Sequence, residues 1–274
     1  MVSKKHHVKN KIKRLKNKKP VFKRFTFWVI ILFFIIVFSF LYVFLFFSKI
    51  QVSAVVITGN NIVQSKDIED IAWNNINKKI ITLGNWSLIS KSIFLTGPKI
   101  INENILNKFP EVKNVKVLKK FPDTINLQIE ERVPFAVFCQ TDDKNCFYID
   151  KNGVIFEILE QIPQDFTIIR QLIEDKNVFT GEKVVGENTM DIIDKIKKNL
   201  NDNFQINVKE AMITTPLRLD IETSENWQIY FNLDSETNLQ ITKMNLLLKN
   251  EIPANARKSL QYIDLRFKDR AYCK

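Results

Sequence analysis

The feature that most constrains this chain is a basic tail that leads directly into an uncharged apolar segment. Residues 1–24 carry 11 Lys and Arg and no Asp or Glu, whereas residues 25–47 carry no charge at all. At about 1.5 Å per residue, a helix over residues 25–47 reaches roughly 34 Å, which is enough to cross the ~30 Å hydrocarbon core of a bilayer. The sequence therefore predicts a single N-terminal transmembrane helix behind a basic cytoplasmic tail.

A cleaved signal peptide is the alternative interpretation of the same segment. Its apolar core would be about 7–15 residues long and would be followed by a small-residue cleavage site. Here the apolar run is longer, and Ser48, Lys49 and Ile50 follow it. A retained anchor is favoured, and the positive-inside rule then places residues 50–274 on the periplasmic or extracellular side of the plasma membrane.

The net charge of the chain belongs to the tail. The whole sequence has 41 basic and 30 acidic residues, and the part after residue 24 has 30 of each. The tail has no interleaving of aromatic residues, as a platform for single-stranded nucleic acid would have. We therefore expect it to serve as a topology signal that also attracts anionic lipid, and we expect no nucleic-acid partner.

The outer part lacks the residues that most hydrolases and metal sites use. Both histidines, His6 and His7, lie in the tail, and the sequence contains no nucleophile-elbow motif and no metal-ligand cluster. A Ser/Lys dyad stays open on composition, but no spacing indicates one. These absences argue against a hydrolase and a metal site, and nothing in the sequence indicates a cofactor or a small-molecule substrate.

Two of the three cysteines flank a polar turn between apolar, β-rich runs. Cys139 and Cys146 are separated by six polar residues, and an oxidising compartment permits a disulfide between them. A pair of unbonded small core residues is the alternative. Cys273 is left over in both cases.

Hydrophobic periodicity predicts an α+β chain with two domains after the membrane segment. Residues 50–132 show a β-α-α-β-β order, with Ser65 as the candidate N-cap of the first helix and Pro98 at the start of the second, and residues 74–92 resist assignment. Residues 134–274 show mostly strands, joined by a hairpin turn at 151–153 and accompanied by two amphipathic helices. A closing strand is predicted over 259–267, with an extension through Tyr272 left open.

Four motifs in this order resemble the FtsQ/DivIB family of bacterial cell-division proteins. The first is VITGN at 56–60, and the second combines FPEVKNV at 109–115, FPDTI at 121–125 and ERVP at 131–134. The third is YIDKNGVIF at 148–156, and the fourth is YIDLRF at 262–267. Each motif is weak alone, but together they extend over nearly the whole chain.

This resemblance implies a POTRA domain over 50–133, departing from the family pattern by an insertion at about 76–91, and an FtsQ-type β domain over 134–274. The insertion is expected to form an extra hairpin or an exposed apolar loop. Glu131 and Arg132 could suggest a charged active site, but a strand-end ion pair is expected instead. Asp264 and Arg266 are expected to pair across strands.

The resemblance also implies a function and a binding site. Such proteins are non-catalytic, single-pass scaffolds of the division complex at the septum, and they bind the small membrane proteins FtsB (DivIC) and FtsL by β-strand addition. The implied partner-binding residues are Arg266, Phe267, Lys268, Asp269, Arg270, Ala271 and Tyr272. Phe267 would be the main apolar anchor and Tyr272 a weaker second, while Lys268 and Arg270 equally suit protection of an open sheet edge.

A POTRA protein that guides polypeptides to an outer-membrane barrel is the alternative function. Such proteins end in many amphipathic membrane strands, whereas only about 140 residues follow the first domain here, two helices among them. The division scaffold is therefore preferred.

Overall fold

A computed structural model describes Phe22 and residues 25–140, 145–172 and 178–274. The tail predicted over 1–24 lies outside the described residues, apart from Phe22. The helices are α1 (Phe25–Phe46), α2 (Ser65–Ile76), α3 (Pro98–Lys108), α4 (Glu187–Phe204) and α5 (Thr237–Leu246). The strands are β1 (Ala54–Thr58), β2 (Lys78–Leu83), β3 (Trp86–Ser90), β4 (Val112–Lys120), β5 (Thr124–Glu131), β6 (Ala136–Cys139), β7 (Cys146–Ile149), β8 (Ile155–Leu159), β9 (Ile168–Gln171), β10 (Val208–Thr215), β11 (Arg218–Thr223), β12 (Gln228–Asn232), β13 (Tyr262–Asp264) and β14 (Tyr272–Cys273).

Helix α1 corresponds to the predicted membrane segment and ends one residue earlier, at Phe46. Its 22 residues are apolar and long enough to cross a membrane, and none of them is buried inside the protein. An apolar helix of this length that the protein leaves uncovered except at its last turn fits a single-pass membrane protein.

The first domain is a small sheet covered by two helices. Strand β5 lies between β1, which runs parallel to it, and β4, which runs antiparallel. Ile125, Leu127 and Ile129 alternate along β5 and are buried in the same core as Ile68 of α2 and Ile101 of α3. The strand predicted from alternating residues and the helices predicted from helical spacing therefore pack into one core.

The insertion predicted at 76–91 forms an extra hairpin. Strands β2 and β3 pair with each other, and Gly84 turns the chain between them with a φ of +59°. The predicted order β-α-α-β-β thereby becomes β-α-β-β-α-β-β. The cap predicted at Ser65 is wrong by one residue, because Ser65 already lies in α2 and Gln64 is its N-cap.

The second domain is built on one large sheet with two helices on one of its faces. Among the described residues its strand order is β14-β13-β12-β11-β10-β9-β6-β7-β8, and most neighbouring strands are antiparallel. Ile193 and Ile196 of α4 and Met244 of α5 share a core with Trp227 and Phe231 of the sheet. The α+β class, with a mostly antiparallel sheet and two packed helices, is confirmed.

A buried ion pair links the two domains. Arg132, directly after β5, donates from Nε to the carbonyl oxygen of Pro110 at 3.0 Å and pairs through Nη1 with the Asp150 carboxylate. The side chains of Arg132 and Asp150 are only 14% and 5% exposed. Asp150 Oδ1 also accepts the backbone N–H groups of Asn152 and Val154, at 2.9 and 3.0 Å. The structure thus replaces the expected strand-end ion pair of modest value with a buried pair that joins motifs of both domains.

Glu131 has a different role from its neighbour. Its carboxylate accepts the backbone N–H groups of Asn61, Ile62 and Val63, with the shortest contact at 2.9 Å in each case. These bonds hold the turn that follows β1 against the end of β5. Glu131 and Arg132 thus both hydrogen-bond backbone groups of the first domain near the end of β5.

Candidate partner-binding edge

The free end of the large sheet is built by the last residues of the chain. Strand β13 runs parallel to β12, with Ile263 opposite Ile229. Strand β14 then turns back antiparallel along β13, with Cys273 opposite Ile263. Lys274 extends this ladder, because its N–H donates to the Tyr262 carbonyl at 3.2 Å. The chain therefore covers the β13 edge with its own residues, and β14 is the edge strand.

The continuous closing strand predicted over 259–267 is wrong. Regular pairing with β12 ends at Asp264, whose Oδ1 accepts the backbone N–H of Arg266 at 3.1 Å. An aspartate that hydrogen-bonds the backbone two residues on favours a turn over a continued strand. Residues 265–271 consequently form a loop between β13 and β14.

All seven implied binding residues lie in the described part of the chain, and only Tyr272 lies in a strand. Lys268, Asp269 and Arg270 are exposed in the loop, and Ala271 is half-buried against the core of the second domain. The structure gathers the seven at one end of the sheet.

Lys243 of α5 holds the loop between β13 and β14 in place. Its Nζ donates to the carbonyl oxygens of Leu265 at 3.2 Å, of Lys268 at 3.4 Å, and of Phe267. Leu265 itself is buried in the core. The loop is therefore pinned at its start, and Phe267 is presented at the surface.

Two aromatic side chains form the apolar part of this surface. The rings of Phe267 and Tyr272 meet edge to face, with centroids 5.1 Å apart and an interplanar angle of 80°. Both residues are nearly half exposed, at 45% and 46%. Arg270 Nη1 donates to the Tyr272 hydroxyl at 3.3 Å. The two predicted anchors, five residues apart in sequence, thus make one exposed aromatic pair.

Arg266 pairs with Asp264, the last residue of β13, two positions earlier in the chain. Its Nε and Nη2 donate to the two oxygens of Asp264, at 2.9 and 2.6 Å, so the cross-strand pairing expected for these residues is wrong. These hydrogen bonds lower the pKa of Asp264 and raise that of Arg266. The guanidinium also lies 5.5 Å from the ring centre of Tyr230, whose pKa is raised chiefly by burial. The Arg266 side chain is therefore held by Asp264 and lies near Tyr230, on the face of the sheet beside the β14 edge.

A groove of about 320 Å³ runs between α5 and the loop. Its walls include Leu239 and Lys243 of α5 and Phe267 and Lys268 of the loop. Sequence reasoning missed the two helical residues. Their i, i+4 spacing on a predicted amphipathic helix was the signal that could have placed them on one face. The groove gives an incoming chain apolar and cationic contacts beside the strand edge.

The cysteine pair lies elsewhere on the sheet. Cys139 and Cys146 stand opposite each other on β6 and β7 and are joined by a disulfide in the structure. Both are buried. Cys273 at the edge is, within the described residues, a free and exposed thiol. The disulfide links the paired strands β6 and β7 and is remote in strand order from β14.

Comparisons with known protein families give two matches, in the order of the two domains. The POTRA domain, FtsQ-type, matches residues 50–132, and the family described as cell division protein FtsQ/DivIB, C-terminal, matches residues 137–266. No curated protein matches the chain. The second match ends at Arg266, so both residues of the aromatic pair, Phe267 and Tyr272, lie just beyond it.

Proposed function

We propose that this chain, which belongs to the FtsQ/DivIB family of cell-division proteins, is a membrane-anchored, non-enzymatic scaffold of the division complex. The family is non-catalytic, and α1 is suited to anchor the chain in the plasma membrane. In this proposal the tail is cytoplasmic, and residues 50–274 face the periplasm or the outside of the cell at the septum.

The scaffold recruits FtsB/DivIC- and FtsL-like membrane proteins by strand addition at β14. The single observation that carries this site is the exposed edge strand beside the Phe267–Tyr272 pair. In an antiparallel ladder, backbone groups alternate between the two sides, so hydrogen bonds at Tyr262–Lys274 leave the N–H and C=O of Cys273 facing outward. A partner strand would bond there and place its side chains on the aromatic pair and in the groove.

Displacement of β14 is the other way in which a partner strand can use this edge. Strand β14 has only two residues, so its ladder is short, and a longer partner strand would make more hydrogen bonds to β13. A chain shortened by residues 271–274 separates the two modes. Addition to β14 requires these residues, whereas displacement predicts tighter capture without them.

The site is tested by co-purifying the full chain in detergent with candidate FtsB/DivIC- and FtsL-like proteins. We expect Phe267→Ala to weaken capture about 10-fold or more, as loss of a central aromatic anchor does. Reversal of charge by Arg270→Glu should weaken it less, because Arg270 is exposed and only supports Tyr272.

Phe179→Ala is the matched control. Phe179 is also an exposed phenylalanine, and it lies in the segment that bonds to β8, at the opposite end of the sheet. Unchanged capture by both edge variants, with folding retained, would remove the site assignment. Turnover of peptidoglycan by the purified chain would instead overturn the scaffold role.

A further inference from the structure

The inserted hairpin has one apolar face. Leu83 stands opposite Trp86, and Ile81 stands opposite Leu88, so these four side chains share a side of the two strands. Leu83 is 68% exposed, and Trp86 and Ile81 are also exposed. Thr82 and Ser87 occupy the other side near the tip, and Ile89 is the exposed apolar residue of that side, toward the base. The hairpin therefore presents an apolar surface that the protein itself leaves uncovered.

The same face meets the end of α1 at the hairpin base. Ser90 follows Leu88 by two residues and so points to the apolar side, and its hydroxyl donates to the Leu45 carbonyl in the last turn of α1. Ser92 donates to the Phe44 carbonyl at 2.9 Å, and Gln51 Nε2 donates to the Leu45 carbonyl at 2.8 Å. These bonds satisfy carbonyl groups that a helix end leaves free. The apolar face thus starts where α1 leaves the bilayer.

Aromatic rings continue the apolar surface from α1 onto the first domain. Phe44 of α1 stacks on Phe94 with ring centroids 4.8 Å apart, and Phe94 contacts Phe121 at 5.5 Å. Phe94 and Phe121 are exposed. The surface of the first domain beside the end of α1 is therefore apolar outside the hairpin as well.

We propose that the β2–β3 hairpin is a second membrane contact, and that its apolar face lies in the headgroup and upper acyl region of the leaflet through which α1 exits. Tryptophan favours this region, and Trp86 lies at the hairpin tip. Lys78 and Lys79 at the base suit contact with lipid phosphates. The inference rests on the membrane anchoring proposed above, and it goes beyond that proposal by giving the insertion a role.

The contact is measured with a fluorescent probe on the full chain in nanodiscs. In a Cys273→Ser background, Leu83→Cys is labelled with an environment-sensitive dye under non-reducing conditions, which leave the buried disulfide intact. The nanodiscs hold one copy of the chain in phosphatidylcholine and phosphatidylglycerol, with nitroxide quencher on the upper acyl chain. Ile158→Cys is the control, because Ile158 on β8 is exposed to the same 68%.

We expect the dye at position 83 to show blue-shifted emission and at least 3-fold stronger nitroxide quenching than the dye at 158. The nitroxide is carried only by the lipid and each nanodisc holds one copy of the chain, so only proximity to lipid can cause the difference in quenching. Equal, weak quenching at both positions in chains that stay with the nanodisc would overturn the hairpin contact and leave the anchor intact. A chain that separates from the nanodisc would overturn the anchoring and this inference together.

Discussion

Replacing Arg132 by methionine should strongly destabilise the folded chain, because it leaves a buried carboxylate without its cation. Asp150 is 5% exposed, and without Arg132 it keeps the two backbone N–H groups of Asn152 and Val154. Breaking a buried ion pair from one side costs about 3–5 kcal/mol. Because those two hydrogen bonds remain, we expect Arg132→Met to cost about 3 kcal/mol, at the lower end of that range.

The cost is measured by urea unfolding of the full chain in a non-ionic detergent, followed by the fluorescence of buried Trp227. Lys113→Met is the matched control, because Lys113 pairs with Glu130 at the surface, where the two side chains are 43% and 54% exposed. Solvent screens such an exposed pair, so its loss should change stability little. If Arg132→Met and Lys113→Met destabilise equally, the buried pair does not join the domains as described.

Two further predictions concern the disulfide and the edge. Replacing Cys139 and Cys146 by alanine should cost about 2 kcal/mol in urea unfolding, as expected for a short closed loop, and reductant should then have no further effect; an unaltered midpoint would show that the thiols are not bonded. Arg266 lowers the pKa of Asp264, so this carboxylate adds stability above its unfolded pKa of about 3.9, and that stability is lost as pH falls through the lower folded pKa. In thermal melts from pH 6 to pH 2.5, Asp264→Asn should lose less stability than the parent chain, and parallel curves would contradict this.

Local patterns predicted most of the elements because their signals lie within a few residues. The uncharged run predicted α1, and alternation along Ile125, Leu127 and Ile129 predicted β5 and its buried face. The order of the elements and the resemblance in four motifs together indicated both domains. The hairpin at 78–90 was left open because its apolar residues remain exposed and give no core periodicity; Gly84 and Asn85 between the two runs were the turn signal that could have identified it.

The parts that escaped prediction depend on contacts between distant residues. Arg132 lies beside Glu131, but its partner is 18 residues away in the other domain. The closing strand looked continuous because Ile263, Leu265 and Phe267 alternate with polar residues. Instead, the chain turns there, because Lys243 of α5 bonds the Leu265 carbonyl and the Arg266 N–H bonds Asp264. Hydrophobic periodicity in the sequence carries no information about such hydrogen bonds.

Hydrogen bonds at the end of α1 fix this helix to the first domain, so the two rotate as one unit. Hydrogen bonds from Ser90, Ser92 and Gln51 reach its last turn, and Arg132 continues the connection to the second domain. An α-helix turns by about 100° and rises 1.5 Å per residue. One residue added within α1 would therefore swing the partner-binding edge through about 100° around the helix axis. In the proposed membrane topology, packing of α1 against neighbouring helices can in this way set the direction in which the candidate edge faces in the plane of the membrane.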